Sequence, residues 1–202
     1  LDIRRKYNPR VWFVLAAAWL SLAADVTDRR TQTVPLPQGK AISIDISIGA
    51  VRVEGWDQPD TAEITIERRA PSTSALSSLT ASIDDSTARV AITARQPDGE
   101  TDPAYRSDVT VRLPRTALIE RIQIVEGRLA LSGLSGSMTA SIRRGPIDAK
   151  DLAGTVRLSA EKGSIALTGA SLTEGGLLRL RTFNGDIRLA LAARPEHARI
   201  MA

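Results

Sequence analysis

GRLALSGLSGSMTASIRRGPIDAKDLAGTVRLSAEKGSIAL, residues 127–167, carries a glycine at every ninth position: Gly127, Gly136, Gly145, Gly154 and Gly163. After a four-residue insertion the phase resumes with Gly176 and Gly185. Self-similarity at a fixed period is read first as a repeat architecture. Two positions after each glycine stand Leu129, Met138, Ile147, Val156, Ile165, Leu178 and Ile187, all large and aliphatic. Four positions after stand Leu131, Ala140, Ala149, Leu158, Leu167, Leu180 and Leu189, again all apolar. Between them stand Ala130, Thr139, Asp148, Arg157, Ala166, Arg179 and Arg188. This is the in-and-out alternation of a short strand. Each unit reads as a strand of about five residues, with the glycine at its turn supplying backbone conformations that a side chain resists.

A strand that short buries its apolar face only by stacking on its neighbours. The pattern therefore predicts an all-β fold whose repeat is a β-solenoid, or β-helix-like stack, with two nine-residue units in each 18-residue coil. A run of antiparallel hairpins closing into a sandwich or roll is the alternative with the same periodicity.

Upstream of the repeat the alternation persists without the glycine phase. AISIDIS (41–47), VRVEG (51–55), TAEITIER (61–68), the stretches 80–84 and 88–95, and DVTVRLP (108–114) each read as a strand. Residues 71–78, PSTSALSS, read as a loop or one helical turn, and 96–104 as a loop rich in Pro, Gly and Asp. The expected organisation is a linker over 25–40 containing at most a short edge strand, then a single β domain over 41–192. Within it, 41–126 is expected to be an irregular cap on the first coil, and 127–192 the glycine-phased repeat. A polar tail, 193–202, with Pro195 and His197 breaks the phase and is expected to lie over or beside the last coil. Unpaired strand edges invite association unless they are covered.

At the other end, Arg4, Arg5, Lys6 and Arg10 precede an uncharged run, VWFVLAAAWLSLAA (11–24), closed by Asp25. A run of 14 residues falls short of the roughly 20 that a membrane span needs. The order of charge, apolar run and small residues is that of a signal peptide over 1–24, with cleavage after Ala23. Left uncleaved, it would be an N-terminal anchor and the chain's one contact with a membrane. The expected localisation is export to the periplasm or cell surface.

Charge and composition exclude several chemistries. Residues 1–24 hold four of the 27 basic and one of the 23 acidic residues, so the remainder carries 23 and 22, a net of +1. That balance argues against nucleic acid as a partner, because such binding rests on a clustered excess of basic residues. With no cysteine and a single histidine, His197, the usual zinc and copper ligand sets cannot be assembled, and no cofactor is implied. No nucleophile elbow, P-loop or dinucleotide fingerprint is present. Asp148, Asp151 and Asp186 are the carboxylates a β-helix polysaccharide-acting enzyme would use, but the phase does not stack them in one column. The expectation is therefore a protein without catalytic residues.

One surface feature stands out. The 18-residue phase stacks Arg157 beside Arg179, with Arg181 in the next outward row beside Ser159. Strands stack about 4.8 Å apart, and like charges held directly opposite are unfavourable. These three arginines mark a possible anion-binding surface.

The chain resembles the bacterial putative-adhesin, β-strand-repeat family of unknown function. The resemblance rests on the N-terminal segment, ISIGAVRVEGWDQP (46–59), VTVRLPR (109–115) and the G-x-aliphatic-x-aliphatic units after Gly127, and covers residues 34–191. It implies an exported β-helix-like domain and supplies no catalytic residues. The function expected on this basis is a non-enzymatic structural or adhesion-type binding module of the cell envelope, with an envelope protein or anionic polymer as partner. The alternatives are a regulatory or sensing module of envelope stress and, less favoured, the polysaccharide-acting enzyme.

Overall fold

A computed structural model describes residues 25–97, 102–172 and 176–193. The expected signal segment lies outside them, as does the tail beyond Ala193. Among the described residues no helix is long and apolar enough to cross a membrane. The strands join into one open 13-stranded sheet.

The glycine-phased region supplies β7 (Leu118–Leu134), β8 (Ser137–Arg144), β9 (Ile147–Leu152), β10 (Thr155–Lys162), β11 (Ile165–Ala170), β12 (Leu177–Asn184) and β13 (Ile187–Leu191). Every pairing among these seven is parallel. Val156 lies opposite Met138 and Leu178, and Ile165 lies opposite Ile147 and Ile187. A strand thus pairs with the strand 18 residues along the chain, and 22 along where the insertion falls. The hairpin alternative requires antiparallel pairs here and is set aside. Alternate strands make two ladders, β7–β8–β10–β12 and β7–β9–β11–β13, whose apolar sides face each other.

The repeat begins earlier than its glycine phase indicates. β2 (Ala41–Trp56) lies parallel along the whole of β7, from Ala41 opposite Leu118 to Glu54 opposite Ser132. The expected boundary at 126/127 falls inside β7, and residues 41–56 are a layer of the stack and not part of a cap. The edge strand allowed for within the 25–40 linker is present and longer than expected. Val26–Pro35 form β1, a ten-residue edge strand antiparallel to β3 (Thr61–Ala70). Its β-branched residues, Val26, Thr27, Thr31, Thr33 and Val34, suit an extended chain despite the charges between them.

Beyond β2 the stack changes character. β5 (Arg89–Arg95) and β6 (Arg106–Pro114) lie parallel to the two arms of β2. On them sit antiparallel strands: β4 (Thr80–Asp85) on β5, β3 on β6, and β1 on β3. A short helix, α1 (Thr73–Ser78), capped by the Ser72 hydroxyl accepting from the Ala75 amide, bridges β3 to β4. It tucks Leu76 and Leu79 against Ala70.

The core is aliphatic throughout, as the 3% aromatic content requires. Of the predicted inward positions, Leu129, Leu131, Met138, Ala140, Ile147, Ala149, Val156, Leu158, Ile165 and Leu167 are buried. Burying each larger side chain contributes about 1.5–3 kcal/mol.

One column of glycines sets how closely the layers approach. Gly49, Gly127, Gly145, Gly163 and Gly185 occupy the same corner, at φ between +130° and +154°. A Cβ on Gly127 or Gly145 would lie 1.7 Å from the carbonyl oxygen of the preceding glycine in the column, and on Gly163 or Gly185 it would lie 2.0 and 2.2 Å away. No side chain fits that gap. Gly136 and Gly154 belong to the opposite corner, where the requirement is also space: a Cβ on Gly136 would lie 2.3 Å from the Ala117 carbonyl oxygen. Gly176, the remaining glycine of the phase, is half-buried just before β12.

Candidate functional site: an arginine-rich face over a serine floor

The outer side of the β8–β10–β12 ladder is where the predicted arginines meet. Arg157 pairs in register with Thr139 on one side and Arg179 on the other. One outward step along, Ser159 pairs with Ser141 and with Arg181. All three arginines are exposed and lie on the same face, so the structure brings the predicted group together. Parallel pairing places identical pleat positions side by side, which makes the juxtaposition a direct consequence of the repeat.

The next outward row adds residues that the sequence reading did not single out. Arg143, Glu161 and Phe183 follow one another in the 18- and 22-residue phase. Phe183 is 83% exposed, the most exposed large hydrophobic among the described residues. Between the two rows of long side chains runs a floor of short ones, Ser141 and Ser159, half-buried and continued by Gln123 on β7. The result is an open trough of about 490 Å³ bordered by Arg143, Glu161, Arg181 and Phe183. A second, smaller depression shares Ser159 and Arg181 and is bordered by Arg157 and Arg179. The signal that would have found Arg143 and Phe183 was already present: both are two residues past a floor position in the same phase.

The electrostatics set this face apart. On the N-terminal half most arginines have acidic partners: Arg68 with Asp28 at 2.6 Å, Arg95 with Asp45 at 2.9 Å, Arg106 with Asp108 at 2.9 Å, Arg112 with Glu54 at 3.4 Å. Among the described residues, Arg143, Arg157, Arg179 and Arg181 take part in no ion pair, while the nearby Arg144 reaches Glu126 at 3.2 Å. Glu161 is the one carboxylate bordering the trough. The serine hydroxyls make only long contacts, 3.5 Å, to the carbonyls of Ile122 and Ala140. Such contacts are at the outer limit of hydrogen bonding and leave the hydroxyls free to donate elsewhere. Guanidinium forks and free hydroxyls around a floor form a set of donors suited to phosphate or carboxylate oxygens.

Elsewhere the chemistry is structural. The pair whose ionisation is most perturbed is Asp57 with Arg115, at 2.8 Å, in the loop after β2. The hydrogen bond from Arg115, then its charge, hold the Asp57 carboxyl below its ordinary value, and the same pair raises Arg115. Arg115 also donates to the Gly133 carbonyl and so ties this loop to the next layer. Asp148 is exposed and lies 3.8 Å from Arg128; Ala166 separates it in register from Arg188, and Asp186 and Asp151 lie at different corners. No group of three or more His, Asp or Glu side chains that could hold a metal occurs among the described residues.

No family model matches the chain, and no curated relative does. Solved structures do. A putative cell adhesion protein from Clostridium sporogenes superposes with a TM-score of 0.56 at 8% identity, covering 82% of this chain and all of that one. A putative adhesin from Parabacteroides merdae matches at 12% identity and a TM-score of 0.27, over 79% of this chain and 77% of its own. A putative lipid binding protein from Parabacteroides distasonis matches at 10% and 0.40, over 72% and 60%. At these identities the first likeness establishes a shared fold. That protein's name, a putative cell adhesion protein, agrees with the resemblance read from the sequence.

Proposed function

We propose that this chain is a non-enzymatic binding module of the bacterial cell envelope, exported to the periplasm or cell surface, whose repeat is a β-solenoid and whose β8–β10–β12 face takes an anionic envelope polymer. The solenoid reading is supported by the parallel 18-residue register and the stacked glycines at its corners. Export is supported by the charged, apolar and small-residue order of residues 4–24.

The observation that carries the binding reading is the set of arginines without an ion-pair partner among the described residues, Arg157, Arg179, Arg181 and Arg143, around a floor of half-buried serines. Arg157 directly beside Arg179 is unfavourable, and an anion seated between them relieves the repulsion. The trough is open and runs across successive strands, so it suits an extended polymer with repeated charges better than a small enclosed ligand.

The test is binding of inorganic polyphosphate, followed by calorimetry at two salt concentrations. The wild type should bind, with affinity falling as salt rises. The double variant Arg157→Glu/Arg181→Glu should lose at least tenfold at low salt while keeping its circular dichroism spectrum. Equal binding by the variant would overturn the assignment of this face.

A further inference from the structure

The C-terminal end of the stack presents an apolar surface that the other described residues do not cover. Ile187 and Leu189 on β13 are 43% and 47% exposed, whereas their in-register neighbours Ile165 and Leu167 one layer below are fully buried. On β12, Leu178 and Leu180 are half-buried at positions whose partners Val156 and Leu158 are buried. Among the described residues β12 pairs only with β10, and β13 only with β11. Each therefore offers one edge of unpaired backbone N–H and C=O groups beside an open apolar core, with no charge turned inward to blunt it.

We infer that this end docks a partner polypeptide that adds extended strands to β12 and β13, apolar on the core side and acidic on the outer side. The core-side requirement follows from the exposed Leu and Ile columns. The outer requirement follows from charge. The outward positions of the two strands are Arg179, Arg181 and Arg188, none of them in an ion pair among the described residues. Deeper in the stack, three outward arginines are answered from the adjoining strand, Arg112 by Glu54, Arg128 by Asp148 and Arg144 by Glu126, while Arg143 and Arg157 on the trough face are not. An incoming strand completes that pattern when it places carboxylates opposite the terminal arginines. Backbone pairing along an open edge supplies the affinity, and the alternation of side chains supplies the selectivity.

A second copy of this chain meets the requirement on both ladders in neither orientation. End to end, the two copies would bring Arg179 and Arg181 against themselves. Head to tail, β12 would meet β1, with Arg30 and Gln32 on its core side and Arg29 among its outward residues, and only β13 would meet a suitable edge, β4, with Ala81 and Ile83 on its core side and Asp84 outward.

The experiment uses the full chain and two synthetic seven-residue peptides, one alternating Leu with Glu and one alternating Leu with Lys. Fluorescence anisotropy measures binding, and hydrogen exchange of Ile187–Leu191 locates it on the ladder remote from the serine floor. The Leu/Glu peptide should bind at least tenfold more tightly than the Leu/Lys peptide and slow exchange in β13. Leu189→Asp should abolish that binding yet leave polyphosphate binding unchanged, and Arg188→Glu should narrow the preference between the peptides. Equal affinity for both peptides, or binding that leaves β13 exchange unaltered, would overturn the inference. So would a free monomer in which β13 is already fully protected, since the chain's own remaining residues would then occupy the edge. A concentration-dependent dimer lost in Leu189→Asp would assign the edge to a second copy instead.

Discussion

At the N-terminal end of the stack the strands turn antiparallel and direct polar groups toward the core, whereas at the C-terminal end they stay parallel and apolar to the last residue described. β1 places Asp28, Arg30 and Gln32 on the side it shares with Arg68, Ile66 and Ile64 of β3, and Asp28 is held by Arg68. On the other ladder, buried Lys40 pairs with Asp85 at the end of β4. The matching positions at the far end are Leu178, Leu180, Ile187 and Leu189. A parallel layer repeats its own edge and invites another layer. An antiparallel strand with inward charges does not, because burying those charges under a further layer would cost more than the added contacts return. Among the described residues one end of the core is thus closed by polar groups, and the other end is not.

The largest contrast should appear at the corner glycines. Gly145→Val places a side chain into a gap of 1.7 Å in the middle of the stack and should abolish cooperative folding. Gly185→Val introduces the same clash, at 2.2 Å, but only between the last two layers. It should release β13 and leave a cooperative thermal transition for the remainder. Identical melting curves for the two variants would mean that the last layer is as integral to the fold as the middle.

Core truncations sharpen the same difference on a smaller scale. Ile147→Ala, at a fully buried site, should cost about 2–5 kcal/mol through lost transfer energy and a cavity. Leu189→Ala, 47% exposed, should cost under about 1 kcal/mol. Urea denaturation of both gives the ratio directly.

How far this was legible in the sequence differs between the two halves. From Gly127 onward the inward columns are apolar at every repeat, so phase and outer rows follow from counting, and Arg157, Arg179 and Arg181 fall together as expected. The first layers were harder to read. Residues 57–117 are inserted between two strands that nevertheless pair, so β2 stands 78 residues from its partner and its corner, Gly49, falls outside any regular spacing. β1 was hidden for a different reason. A strand that caps a core carries polar residues on its inward side, and TDRRTQT therefore reads as linker by composition. Arg143 and Phe183 were in phase but lay one outward step beyond the row of like charges that drew attention.

The smallest effect belongs to the loop that ties β2 to the next layer. The Asp57 carboxyl, exposed but held by Arg115, is lowered from its ordinary value of 3.8. A group whose folded value lies below its unfolded value contributes stability above pH 3.8 and loses it as the pH falls through the folded value. Asp57→Asn should therefore flatten the acid limb of the stability profile below about pH 4 and leave the limb near neutrality unchanged. An unchanged acid limb would show that the pair is not maintained in solution.

The register of the parallel layers underlies both ends of this account, and a disulfide reads it directly because the chain has no cysteine of its own. Thr139 and Arg157 are in-register partners on the outer side of β8 and β10, at the spacing of about 4.8 Å that a disulfide tolerates. Thr139 and Ser159 are displaced by two residues, which puts their Cα atoms beyond the roughly 7 Å limit. Mild oxidation of the double variant Thr139→Cys/Arg157→Cys should give an intramolecular bond in nearly every molecule, and Thr139→Cys/Ser159→Cys should give almost none. Cross-linking of the second pair in preference to the first, or of neither, would contradict the 18-residue parallel stack.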